Sequence, residues 1–579
     1  MAKQIHFEIF SRHGSKGGWR LIDVKTDRDQ AIKFAQETMS EGGATGVRVV
    51  KETYDEETGD FLALKIFEDG HNKLKSTTAQ ETAPRALPCF KPDDFYSYHA
   101  RRTIARLIPE FLARNKITVT EMSHRADMLE KLEATGTLLQ HAIQKVAVAQ
   151  AASTMMPVQQ IVKSLNALTT KAFHRVYRDS RKGVFPDVEQ GEFGALAAEL
   201  AGRSDGLYVL NGAIAHRLCD AAGWDDKVSR LIALMEEAPA EGPGGPLLLS
   251  AIDTIIAEIL SGSAALRELI GDKDNLGVAL MSLVRLFLGK EPDKEDGKQQ
   301  GLILLTRRFA ADNLPEARTA IAERITAEFK SVKRLCPESL FDEFRALRRI
   351  ANLVVEGVGK YLSHEDLIAA FTLRSQRLIN QVTLGEHLAD AATPDEKLER
   401  LLFVEENIIG AENKRRLAAF VMSIVMAAAF ESWFHSPNIP VLTRLQRLTA
   451  LNARVRRCSF QEIQRAEIAD RLDAIACNVE AGSRLFESIE AKSVSHVEKA
   501  GMVLRLFTAE TFTEPRLAAK ARALTVGYLS KPGFLSGYVA QCAKQGQEDC
   551  DADTAVAELM QMLAIAGINR ETGLKSIAA

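Results

Sequence analysis

From Asp94 onward, apolar residues recur three and four positions apart, as in Ile104, Leu107, Ile108, Phe111 and Leu112, or Leu401, Leu402 and Val404 leading into Ile408 and Ile409. An α-helix turns once in about 3.6 residues, so this spacing lines one helical face, whereas a half-buried strand alternates at every second residue. No convincing strand run occurs in this stretch. The chain beyond Asp94 is therefore expected to be an irregular multi-helical array, and an aromatic content of only 6% agrees with that.

Several helix starts are written locally. In "TPDE", Thr393 can cap, Pro394 suits the first helical position and Glu396 follows three residues later; "SHED" from Ser363 and "SFQE" from Ser459 follow the same capping logic. The Pro/Gly-rich "APAEGPGGP" at 238–246 and the charged "GKEPDKEDGKQ" at 289–299 interrupt the helical pattern. They divide the body into helical subdomains at 94–240 and 246–290 and a C-terminal helical domain at 299–579. With 579 residues, several domains or one extended array are both expected. A search for a repeat finds only Tyr-Leu-Ser at 361–363 and 528–530, with flanks that do not align, and no tetratricopeptide or ankyrin signature.

Residues 1–75 read differently. Ile5, Phe7 and Ile9 alternate with His6, Glu8 and Ser11, Phe10 being the exception, which predicts a strand; "GWRLIDVK" predicts a second. "DRDQAIKFAQETM" places Ala31, Phe34, Ala35 and Thr38 on one helical stripe. "GVRVVKETYDEETGDFLALKIF" then reads as a hairpin turning at Glu57, Thr58 and Gly59. The expected fold is thus mainly α with a small N-terminal α+β module, ββαββ, in which one helix covers a four-stranded sheet. Residues 76–93, rich in Thr and Pro, form the linker.

Two cationic segments are the candidate contact sites. "SRHGSKGGWR" gathers Arg12, His13, Lys16, Trp19 and Arg20 around three glycines; cations and an aromatic can meet a partner, phosphate or a base. A simpler reading also fits: Gly14, Gly17 and Gly18 permit a turn, and the cations keep it hydrated. The strand order and the lack of an RNP-like run argue against the RNA-recognition fold. "TRLQRLTALNARVRRCSF" at 443–460 carries Arg444, Arg447, Arg454, Arg456 and Arg457 opposite an apolar stripe of Leu445, Leu448, Leu451 and Val455. Such a helix can meet an acidic partner or anionic lipid, or lie solvated with acids on its neighbours.

The run Leu417–Phe430 contains Ser423 as its single polar residue and follows the basic "NKRR". As a helix it would rise about 21 Å, short of the about 30 Å of a bilayer's hydrocarbon core. It is expected to be a buried core helix, apolar on all sides, and no transmembrane segment is expected.

Catalytic patterns are incomplete. Asp549, Asp551 and Asp553 alternate as in a calcium loop, but Thr554 stands where glycine is needed and Met560 where the last acid belongs. Glu431 and His435 supply too few ligands for a metal, and Gly357, Gly359 and Lys360 do not match a phosphate-binding loop; Gly357 is read as allowing close helix approach. Seven cysteines lack CxxC spacing and read as reduced thiols. A formal net charge of -3 provides no global attraction to nucleic acid. No cofactor or metal is expected, a nucleic acid partner is disfavoured, and no secretory leader is read at the start. The leading expectation is a non-enzymatic protein-interaction, scaffold or regulatory protein of the cytoplasm, with a protein partner. An enzyme with an inter-helix pocket, or a peripheral membrane protein using the helix near 443–457, are the alternatives.

Overall fold

The computed structural model describes residues 5–12, 19–40, 44, 46–54, 61–70, 87–154, 156–291, 299–544 and 552–569. It is mainly α-helical with a small N-terminal sheet. The proposed turn at Glu57, Thr58 and Gly59, residues 76–86 of the linker, His13, Lys16, the three loop glycines, and Asp549 and Asp551 lie outside the described residues.

The module contains β1 (Ile5–Arg12), β2 (Arg20–Lys25), α1 (Arg28–Ser40), β3 (Gly46–Tyr54) and β4 (Phe61–Gly70). Its sheet is antiparallel in the order β2-β1-β3-β4, so the ββαββ order read from the sequence holds. Phe7, Ile9, Val47 and Val49 pack against Ala31 and Ala35 of α1. A four-stranded sheet needs one such cover to exclude water from an apolar face. Ser11 lies in phase with Phe7 and Ile9 and is buried, so it belongs to the covered face, contrary to the alternation expected for it. Phe10 faces the other way, so it keeps the period and is no exception to it.

Two compact units divide the chain: Met1–Ile108 with Glu130–Arg175, and Pro109–Leu129 with Val176–Ala579. In the first, helix Thr137–Thr154 and the part of helix Val158–Arg181 up to Arg175 meet through Ile143, Ala147, Ile161 and Leu165. In the second, helices stack in two rows. One row runs Gly244–Ser261, Pro315–Lys330, His364–Leu378, Ala411–Val425, Glu462–Ser483 and Arg516–Leu529, each packed on the next. The other runs Trp224–Met235, Gln300–Ala310, Leu276–Phe287, Leu340–Val354, Pro394–Asn407 and Val441–Arg457. From Leu340 onward the units are helix pairs whose starts fall roughly 50 residues apart, a solenoid-like spacing without a sequence repeat. Gly244–Ser261 packs on Trp224–Met235, before the Pro/Gly stretch, and on Pro315–Lys330, after it.

The caps are both local and remote. Thr393 and Ser363 accept from Glu396 N and Asp366 N at 3.4 Å, as their sequences predict. Ser459 does not cap: its helix begins at Glu462, and Ser459 N instead donates to Glu405 at 2.9 Å. Other helix starts are capped from a neighbouring helix. Asp253 accepts from Glu316 N and Ala317 N, both at 2.8 Å, and Asp473 from Arg516 N and Leu517 N at 2.8 and 3.2 Å. Burial pushes the Asp253 carboxyl up, against these two donors.

The run Leu417–Phe430 is not one buried helix. Helix Ala411–Val425 ends, Ala427 takes an extended conformation, and Ala428–Phe434 departs at 59°. Leu417, Ala418, Val421, Val425 and Phe430 are buried, whereas Ala419 and Met426–Ala429 are exposed. One stripe suffices for the neighbours Pro394–Asn407 and Glu462–Ser483, and an alanine left in water forfeits little apolar burial. Gly357 behaves as expected: a Cβ there would come within 2.6 Å of Phe287 and 2.8 Å of Leu288.

Candidate functional site

The face of the sheet opposite α1 carries the most distinctive group of side chains. Strand register aligns Leu21, Phe10 and Arg48 in one row across β2, β1 and β3, and Val24, Glu8 and Val50 in the next. Leu21 and Val24 are 50% and 44% exposed. Arg48 lies over the Phe10 ring at 4.7 Å and the Trp19 ring at 4.8 Å, and Arg12 lies over Trp19 at 4.9 Å. Guanidinium planes stack on aromatic faces through cation–π attraction, which orders them without consuming all of their donors. Gly46 lies beneath: a Cβ there would be 3.4 Å from the Trp19 ring and 3.5 Å from Arg12.

Arg12 and Trp19, chosen from the sequence, are therefore brought together. Arg20 is not with them; it pairs opposite Ser11 and lies on the other side of the strand, exposed. Arg48 and Phe10 were not read as site residues. The signal existed in "VRVV", where Arg48 stands between Val47 and Val49 and must face away from the core, but its meeting with Phe10 depends on register. The β3–β4 register sets Glu68 opposite Arg48, and the Arg48 Nε is enclosed without a hydrogen-bond acceptor.

The second cationic candidate is helix Val441–Arg457, and its predicted stripe, Leu445, Leu448, Leu451 and Val455, is fully engaged in the core. Arg447 pairs with Asp395 at 3.1 Å and Arg454 with Glu406 at 2.9 Å. Arg444 donates to Phe434 O, Arg456 to Glu514 O, and Arg457 to Ala453 O within its own helix. A helix lying on a bilayer buries its apolar stripe in lipid; here protein already covers that stripe.

A buried polar node occupies the start of the second unit. Lys227 Nζ pairs with Glu121 and donates to Lys116 O at 2.6 Å, while Glu121 also accepts from Thr118 N at 2.9 Å. Burial lowers the Lys227 pKa, and Glu121 opposes that shift. Every atom of this node serves local structure: it ties the capped turn at Thr118 to helix Trp224–Met235.

Among the described residues no group of three His, Cys, Asp or Glu could hold a metal ion. Glu431 is occupied by Asn478 and Arg471, both at 2.8 Å, and these bonds hold its carboxyl below the usual range. The described cysteines are free thiols, with Cys336 pushed up to about 11 and Cys458 to about 12 by burial. One described helix, Gly244–Ser261, has the length and apolarity to cross a bilayer, and 67% of it is buried inside the protein. The bent pair Ala411–Val425 and Ala428–Phe434 passes the same test jointly but turns by 59°, and among the described residues no clear transmembrane segment emerges. Comparison with family models, curated proteins and solved structures found no match.

Proposed function

We propose that the chain is a non-enzymatic interaction protein, a scaffold or regulator acting in the cytoplasm. The observation that supports this reading is the stack of two helical rows in the second unit, each helix packed on its neighbour in the row. Such stacking leaves long faces on which partners can be arranged, and helical repeats commonly serve that purpose. Val332, Val382 and Ile463 are 83%, 79% and 81% exposed along this unit. A protein partner is favoured over nucleic acid, since the formal charge is -3 and the cations of helix Val441–Arg457 already serve internal contacts.

The test is quantitative affinity isolation from native cells with the full chain and with a chain lacking residues 1–75. The expected result is a reproducible set of proteins above a tag-only control, with at least one lost on deletion. A full chain that retains nothing above the control would overturn the proposal.

A further inference from the structure

We propose that helix Gln381–Leu388 is an acid-operated latch, which leaves its neighbours Leu340–Val354 and Pro394–Asn407 when His387 takes up a proton. This goes beyond the interaction reading and does not depend on it.

The helix is thinly anchored. Of its eight residues only Thr383, Leu384 and His387 are buried, while Gln381, Val382, Gly385 and Glu386 face water. A glycine within so short a helix adds backbone freedom to the open state. His387 reaches both neighbours: its ring centroid lies 5.5 Å from that of Phe344 and 6.4 Å from that of Phe403. It is 7% exposed, and its Nε2 is enclosed without a hydrogen-bond partner. A neutral imidazole forfeits one acceptor bond in such a place. An imidazolium must donate from both nitrogens, so an enclosed N–H without an acceptor becomes costly. Opening one short helix gives that N–H water while the rest of the stack stays closed.

The charges around the ring are committed elsewhere. On the latch, Glu386 pairs with Arg334 at 3.2 Å. On Leu340–Val354, Glu343 accepts from Cys336 N at 2.6 Å and lies 3.7 Å from Arg374, Arg345 covers the Phe341 ring, and Asp342, Arg348 and Arg349 are exposed. On Pro394–Asn407, Glu396 pairs with Arg400 at 2.8 Å, which holds its carboxyl below the usual range. Asp395, Glu405 and Glu406 pair with Arg447, Lys414 and Arg454, and Lys397 and Glu399 are exposed. Arg400 also donates to His387 O at 2.9 Å, which sets a cation near the imidazole. Burial and the Arg400 charge lower the His387 pKa, opposed by the Arg400 backbone. The open segment therefore takes up the proton at the ordinary value of 6.5 and the closed one only at lower pH. Closure is favoured above 6.5 and is lost as pH falls toward the lowered value.

The test is hydrogen exchange of the full chain, corrected for the intrinsic pH dependence of amide exchange. Between about pH 7.5 and about pH 5, protection of residues 381–388 should fall by up to about tenfold per pH unit below 6.5, while Glu462–Ser483 keeps its protection. His387→Gln and His387→Phe should each abolish this dependence, the second with an aromatic ring still in place. Glu386→Gln, which removes the Arg334 pair, should weaken the latch at every pH and keep the dependence.

Constant protection of residues 381–388 in the wild type, a loss shared equally by Glu462–Ser483, or an undiminished dependence in both His387 variants would each overturn the proposal. Where a His387 variant is open throughout, the NMR titration of the wild-type imidazole decides. Titration at or above 6.5 overturns the latch, and titration below 6.5 together with the local loss of protection supports it.

Discussion

Lys227 and Glu121 form an ion pair out of contact with water, and each also bonds the backbone of the turn beside it. Leaving one charge of such a pair alone is costly, because its partner then remains desolvated without compensation. Lys227→Met is expected to destabilise the protein by about 3–5 kcal/mol. Adding Glu121→Gln should recover part of this, since glutamine can still accept from Thr118 N, and chemical-denaturation midpoints of the two variants provide the check. His387 makes a separate prediction. It is buried against Phe344 and Phe403, with ring centroids at 5.5 and 6.4 Å, and burial lowers its pKa below 6.5. The unfolded chain therefore takes up this proton at higher pH than the folded one. The associated stability is present above 6.5 and is lost as pH falls through the folded value. Denaturation of the wild type and His387→Gln across that range should show a smaller acid-side loss in the variant, and equal slopes would refute the assignment.

At the scale of elements, the helix caps divide by range. Thr393 and Ser363 act within four residues and their sequences announce them; Asp253 and Asp473 act across more than forty residues and do not. Ser459 illustrates the limit of a local pattern. It has the right residue at the right spacing, yet Glu405 takes its backbone N–H and the helix begins later. Asp473 also accepts from Thr513 Oγ1 at 2.5 Å, so one buried carboxylate holds the whole approach to helix Arg516–Leu529. Removing a side-chain cap costs about 0.5–2 kcal/mol, and stranding buried donors adds to it. Asp473→Ala should therefore lower stability by about 2 kcal/mol or more and Asp473→Asn by less, measured by thermal or denaturant unfolding. The broken apolar run teaches a related point: hydrophobicity set the stripe Leu417, Val421 and Val425, but the extended Ala427 determined where the helix turns.

For the whole molecule, the two-row stack implies that coupling is mostly between neighbours. Asp473→Ala should hasten backbone hydrogen exchange around Glu462–Ser483 and Arg516–Leu529 while leaving Trp224–Met235 and Gly244–Ser261 unchanged. Uniform loss of protection across all four helices would show instead that the unit melts as one body. The helical class, the ββαββ order, the local caps and the buried stripe of helix Val441–Arg457 were legible in the sequence, because they depend on residues within a few turns or strand steps of one another. The rows were not, since Gly244–Ser261 meets Pro315–Lys330 through shape and burial that no repeated motif marks. The candidate site divides in the same way. Sequence alone determined that Arg12 and Trp19 flank one loop and that Arg48 must point away from a strand's apolar face; only tertiary structure decided that Arg48 lies between Phe10 and Trp19. The reason is register: a side chain's facing follows from its own strand, but its neighbours across the sheet depend on how separate strands align.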